Sequence, residues 1–202
     1  LQLHVKLPIF SIHFVHTEIP VVKTFDKVDF TYKVKDDCPH ILIRNCTPDV
    51  LNFMVVVKKI QGRQKSHALQ IVVGSDTFDI IPEVAMDAKP IFQVNGEANS
   101  YAEVHIKYDE IKLPLYSVIW EKKHRNLVFM HHRLGLVVSL ERGHVVKAHI
   151  SPLYFGKICG MCGNYDGETA DEFLTPDASV KVTDVNEFGR SWIVPGNTCA
   201  KR

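Results

Sequence analysis

The chain has 202 residues, 46% of them hydrophobic, and a formal net charge of +1. That is apolar material enough for one sizeable core, and so even a charge balance gives no bulk attraction for nucleic acid or an anionic membrane. No apolar run reaches the length needed to span a bilayer.

There is no initiator Met, and no basic start leads into an apolar run, so a chain opening on Leu1-Gln2-Leu3 is expected to be a piece of a longer precursor, with any signal peptide upstream. Leu1, Leu3, Val5 and Leu7 alternate with Gln2, His4 and Lys6, the period of a half-buried strand. Residues 9–15 and 28–34 have the same character. In 51–60, Phe53, Val55 and Val57 share one parity while Met54 and Val56 share the other, which predicts a central strand covered on both faces. Further strands are predicted at 69–73, 77–81, 91–94, 103–107, 115–120, 127–131, 134–140 and 145–150. Gly74-Ser75-Asp76, Asn95-Gly96 and Glu141-Arg142-Gly143 supply turn residues that tolerate positive φ. Strands this regularly spaced predict a mainly β fold, an antiparallel β-sandwich. One short helix is expected near the C-terminus. Asp184 and Glu187 make a capping-box pair, Val185, Phe188 and Trp192 share a face, Gly189 weakens it and Pro195-Gly196 stops it.

The densest chemistry lies between Cys159 and Pro176. Asn164, Asp166, Asp171 and Glu172 are hard oxygen donors suited to calcium, which takes about six to eight oxygens in irregular geometry. Gly163 and Gly167 let the chain turn tightly around an ion. A polar surface loop with a structural disulfide accounts for the same residues. Cys159-Gly160-Met161-Cys162 reads as a redox pair, a zinc half-site or two anchors for separate disulfides. The redox reading is weakened because the motif precedes an acidic turn instead of opening a helix. The zinc reading lacks a second half-site.

Eleven histidines show no metal-binding spacing, and His131 and His132 on one strand would point to opposite faces. No Gly-x-Ser-x-Gly, P-loop or Gly-x-Gly-x-x-Gly is present. Lys58-Lys59, Arg63 to Lys65 and Lys122 to Arg125 read as solvated basic turns, or as a weak patch for an anionic partner. Asn45-Cys46-Thr47 is an N-glycosylation sequon. Five cysteines are too few for a disulfide-dense miniprotein and leave one over.

Cys-Gly-Met-Cys-Gly-Asn-Tyr-Asp-Gly from Cys159, then Asp171-Glu172-Phe173-Leu174-Thr175-Pro176, Phe188-Gly189-Arg190-Ser191-Trp192 and Cys199, resemble the von Willebrand factor type D domain. Upstream, Thr24-Phe25-Asp26, Phe30, Tyr32 and Cys38-Pro39-His40-Ile41-Leu42 resemble its opening. The resemblance implies an N-terminal strand extension at 1–13 and the type D domain at 14–202. It implies disulfides Cys38–Cys199 and Cys46–Cys159, which need an oxidising compartment. Cys162 is left unpaired, because its first-strand partner falls in Ser11-Ile12-His13-Phe14-Val15. It is then a buried thiol, a partner for something outside the chain, or a sign of other pairing. The resemblance also implies one calcium ion held by Asp26, Asn164, Asp166, the carbonyl of Glu168, Asp171 and Glu172, with Glu172 standing where relatives often carry Asp or Asn.

Sparse cysteine, Val94-Asn95-Gly96-Glu97 and Ser191-Trp192-Ile193-Val194-Pro195 look like the version found in vitellogenins and large lipid-transfer proteins. The implied function is a non-catalytic, calcium-stabilised extracellular module of a secreted yolk or lipid-transport protein, with Asn45 glycosylated. Its implied partners are other domains of the same precursor, a lipoprotein receptor or extracellular proteins. The alternatives are an assembly module of a multimeric extracellular glycoprotein of the mucin or tectorin kind and, third, a luciferase-like or disulfide-exchange enzyme.

Overall fold

The structure, a computed structural model, describes residues 10–13, 21–34, 38–48, 52–60, 66–83, 88–101, 104–177, 180–196 and 199. Three strands come first: β1 (Phe10–His13), β2 (Val21–Lys23) and β3 (Asp29–Thr31). Then follow β4 (Pro39–Asn45), β5 (Phe53–Lys59), β6 (His67–Val73), β7 (Asp76–Ile81), β8 (Ile91–Val94) and β9 (Glu97–Ala98). The third group is β10 (Val104–Tyr108), β11 (Pro114–Glu121), β12 (Asn126–His131), β13 (Leu136–Glu141) and β14 (Val145–His149). A 3-10 turn (Pro152–Tyr154), β15 (Ile158–Cys159) and α1 (Val185–Ser191) close the chain.

The strands form two antiparallel sheets, one of eight in the order β10-β11-β12-β13-β14-β1-β2-β3 and one of seven in the order β15-β4-β5-β6-β7-β8-β9. Phe10–His13, within the stretch set apart as an extension, is an interior strand between β14 and β2. Residues 1–9 and 14–20 lie outside the described ones. Strand alternation sends one side chain in two into the space between the sheets. On β12 it is regular, with Leu127, Phe129 and His131 buried. There Phe78 of β7 meets Tyr116 of β11 and Phe129 of β12, with ring centroids 4.9 and 4.8 Å apart. Burying each such aromatic is worth about 1.5–3 kcal/mol.

Strand β5 is covered on both faces as predicted, with Val55, Val56 and Val57 all buried. Its neighbour β4 was not predicted as a strand. Ile41, Leu42 and Ile43 are all buried, and the register shifts between Ile41 and Ile43, so no alternation shows. Its far side is covered by the chain itself. Met161 N–H donates to Ile41 O, Cys162 N–H to Leu42 O, and Ile41 N–H to Trp192 O. The stretch predicted at 134–140 begins as a strand only at Leu136, because 132–135 forms the turn.

Helix α1 is capped by Asp184, whose Oδ1 accepts from Asn186 N–H at 2.8 Å. It ends at Ser191, before Pro195. Gly189 has a packing reason: a Cβ there would stand 2.2 Å from the Tyr32 ring. The helix closes an aromatic cluster in which Phe173 and Phe188 lie 5.0 Å apart and both meet Phe30. No helix among the described residues is long and apolar enough to cross a membrane.

Candidate functional site

Two segments build the site: the tight β2–β3 turn carrying Thr24 and Asp26, and the loop that leaves β15. Thr24 N–H donates to Val28 O at 2.9 Å, and Thr24 Oγ1 accepts from Val28 N–H at 3.1 Å, which closes the turn. The loop is joined to the turn by Phe25 N–H donating to Cys162 O at 3.1 Å. Since Cys162 N–H donates to Leu42 O, this residue ties β4 to the turn through its backbone alone.

Around that junction the oxygens converge. Asp26 Oδ2 and Oδ1 accept from the N–H groups of Asp166 at 3.2 Å and Gly167 at 2.9 Å. The Asn164 amide donates to Asp166 Oδ2 at 2.8 Å and Asp171 Oδ2 at 3.2 Å. Glu168 N–H donates to Asp166 Oδ1 at 2.8 Å. Thr24 Oγ1 donates to Glu172 Oε1 at 3.0 Å. Gly163 is required at φ +83°, for a Cβ there would fall 1.7 Å from Glu172 Oε2.

All six sequence-predicted ligand positions therefore lie along one junction. Among the described residues, however, no group of three or more His, Cys, Asp or Glu is arranged to hold a metal ion. The Asn164 amide, a partial positive charge, occupies the space between the carboxylates. Asn164 Oδ1 and Asp171 Oδ1 are buried with no hydrogen-bond partner, and Glu172 Oε2 has one only when a proton is shared with Asp26. A buried acceptor left unpaired costs about 1–3 kcal/mol, so together they mark a cluster short of positive charge. The donor set, all oxygen and rich in carboxylate, fits a hard cation.

Glu172 is only 3% exposed. Burial pushes its carboxyl up to about 8; the Thr24 hydroxyl opposes this, and Asp26 and Asp166 add to it. At neutral pH, without a cation, this carboxyl is mostly protonated. Burial and Glu172 likewise raise the Cys162 thiol well above its ordinary value. Cys162 is fully buried and free, a neutral thiol with no nucleophilic character.

The Cys-x-x-Cys is divided, because Cys159 stands with Cys46, Cα atoms 5.9 Å apart, and Cys38 with Cys199 at 5.8 Å. Both separations suit disulfides. Sequence reasoning gave no role to Arg44. Its Nε points at the sulfurs of Cys46 and Cys159 at 3.4 and 3.3 Å, its Nη2 donates to Pro176 O at 3.0 Å, and its guanidinium lies over Trp192. One side chain thus spans that cysteine pair, the end of the acidic loop and the end of α1. Thr24 was part of a recognised motif, but its hydroxyl contact with Glu172 carried no signal in sequence. Asn45 sits at the end of β4 in an Asx turn, Oδ1 accepting from Thr47 N–H and Oγ1 at 3.1 and 3.0 Å. Among the basic turns, Arg63 to Lys65 lies outside the described residues.

A family model described as the von Willebrand factor type D domain matches residues 17–179. Vitellogenin-2 of Gallus gallus is 27% identical over 187 residues, which cover 88% of this chain and 9% of that protein. Vitellogenin-6 of Caenorhabditis elegans is 27% identical over 180 residues, 88% of this chain and 10% of that protein. Zonadhesin of Homo sapiens is 27% identical over 165 residues, 80% of this chain and 5% of that protein. The chain spans about a tenth of the length of the vitellogenins it matches.

Proposed function

The chain belongs to the von Willebrand factor type D domain family, and on that premise we propose that it is a non-catalytic, calcium-stabilised extracellular module of a large, secreted, vitellogenin-type protein. The observation that carries the calcium reading is the set of buried oxygens on Asn164, Asp171 and Glu172, the last partnered only through a proton shared with Asp26. Asp26, Asn164, Asp166, Asp171 and Glu172 would hold the ion, with the Glu168 carbonyl joining them. Bound calcium would supply the positive charge that these oxygens lack. Rotating the Asn164 amide about its last torsion exchanges Nδ2 for Oδ1 and turns a donor into another ligand. Glu172 gives up its proton on binding, as metal ligands do.

The role of the site is then mechanical. It fastens the β2–β3 turn to the loop after β15, while Cys38–Cys199 and Cys46–Cys159, as disulfides, fasten the same region covalently. The longer bridge closes a loop with a sequence separation of 161, and for loops beyond a hundred residues chain entropy gives about 5 kcal/mol. An Asn45 glycan belongs to the same secreted reading, attached before the Asx turn closes over the amide. Other domains of the precursor and a lipoprotein receptor are the partners this reading implies. At ten times its dissociation constant, calcium raises stability by about 1.4 kcal/mol. Calorimetric titration at millimolar calcium tests this, and an absence of binding heat together with an unmoved melting midpoint overturns it.

The zonadhesin match supports a second reading, an assembly module joined to its neighbours by disulfides. Five cysteines leave only Cys162 for such a link, and it is buried. Covalent multimers on a non-reducing gel would favour that reading.

A further inference from the structure

Basic turns far apart in sequence come together at one end of the sandwich. Glu121, Asn126, Glu141 and Val145 form a continuous cross-strand row, so the β11–β12 and β13–β14 turns lie side by side. Arg142 N–H donates to Arg125 O at 2.7 Å between them. The other sheet joins at the same end: Lys59 is paired in register with His67, whose N–H donates to Gly143 O at 3.1 Å. Lys58, Lys59, Lys122, Lys123, Arg125 and Arg142 therefore gather at one end, with Lys58, Lys122, Lys123 and Arg142 exposed. Of the nearby described carboxylates, Glu141 is matched by Lys147, Glu121 stands by His124, and exposed Glu83 follows Pro82, which lies against Gly143. In a chain whose formal charge is only +1, this is a strong segregation. The acidic β2–β3 turn lies at the other end, because His13 and Val21 mark the basic end of their strands.

We propose that this end docks a sulfated polysaccharide. The strands that meet there, β5, β6 and β11 to β14, are all interior to their sheets, so no free edge is offered to a peptide strand. The turns at 122–125 and 142–144 carry no Phe, Tyr or Trp as a stacking platform for nucleobases, only the smaller imidazoles of His124 and His144. What the surface presents is repeated positive charge on mobile stems across several turns. That suits repeated sulfates along an extended chain, which bind through counterion release and need no shaped pocket. The inference does not depend on the calcium reading.

The test is titration of the intact protein with a heparin oligosaccharide across salt concentrations. Lys122→Gln with Lys123→Gln is expected to weaken binding about tenfold at 100 mM salt and flatten the salt slope by about 1.5. A control pair removes the same charge at the distant β10–β11 hairpin: Lys107→Gln with Lys112→Asn, since Asn tolerates the φ of 60° at that position. It should stay within about twofold of wild type. No heparin binding at 50 mM salt, or equal losses from both pairs, overturns the proposal. A phosphoserine peptide of matched charge that binds more tightly than the oligosaccharide reassigns the surface to phosphopeptides and overturns it too.

Discussion

Asp26 Oδ1 accepts a hydrogen bond from the Gly167 N–H at 2.9 Å, across 141 positions of sequence. With the matching bond from Asp166, one carboxylate at the start of the fold holds the loop near its end. Hydrogen bonds to a charged acceptor are worth about 1.5–3 kcal/mol each, so Asp26→Ala should destabilise the chain by about 2 kcal/mol or more in chelator. It should also remove the further stabilisation proposed for calcium, as should Asp166→Ala. Urea denaturation with and without calcium measures both effects. An Asp26→Ala chain that keeps the full calcium increment would break the link between turn and loop.

Glu172→Gln separates the cation from the fold. Because burial already holds this carboxyl up to about 8, the amide resembles the neutral form present at pH 7. In chelator the variant should stay within about 1 kcal/mol of wild type, the usual margin for an isosteric change that keeps the bond to Thr24. In calcium it should gain little or nothing. Equal calcium responses in the two proteins would remove Glu172 from the ligand set.

The Cys162 thiol is 0% exposed and neutral, so reagents should label it only at the rate of global unfolding. Cys162→Ser places a hydroxyl in a fully buried site and should cost about 1–3 kcal/mol. Cys162→Ala, which adds no polar atom, should cost less. Mass spectrometry of pulse-labelled native protein decides the matter. Modification faster than unfolding would show that the thiol is accessible.

Acid should weaken the inner face of the large sheet. His131 is 3% exposed, and its Nδ1 has no partner. Burial first, then His132 and Arg133, lower its proton affinity below the usual 6.5, with Asp76 opposing. Above pH 6.5 both folded and unfolded chains keep the imidazole neutral, and its contribution is complete. Below 6.5 the unfolded chain takes up a proton that the folded chain refuses, so stability falls as pH drops through the folded value. Burial and Lys147 lower His149 in the same direction. Since Glu172, raised to about 8, adds stability over the same range in chelator, the measure is the difference between the two proteins: from pH 8 to 5, His131→Leu should gain stability relative to wild type. Parallel curves would mean that His131 does not contribute.

Much of this fold is legible in the sequence where a strand has one wet face. Strand β12 alternates without fault and was predicted almost to its ends. Strand β4 was missed because the chain covers its second face and erases the period, and β2 and β15, of three and two residues, are too short to show one. Of the candidate ligand positions, Asn164, Asp166, Asp171 and Glu172 show as oxygen donors in the sequence itself, whereas Asp26 and the Glu168 carbonyl came from a resemblance; the structure gathers them at one junction. Thr24 and Arg44 act through partners 148 and 132 positions away, a separation that no local pattern encodes. Gly189 looked like a flaw in a helix until Tyr32 was placed against it. The shared end of the basic turns depends on strand register across both sheets, which composition cannot supply.

Strand β1 sits between β14 and β2, with Ser11 opposite Lys147 on one side and Lys23 on the other. A ribosome delivers these partners far apart in time. Strands β4 to β9 are consecutive neighbours and can zip together as they emerge, whereas β1 has half its hydrogen-bonding partners only after residue 149 is made. The earliest of the described strands to be made is thus among the last of them to be enclosed. Until then it is an exposed edge of the kind that templates aggregation. Pairings this distant in sequence make folding slow, so this edge needs protection from the time β1 emerges until β14 has been made.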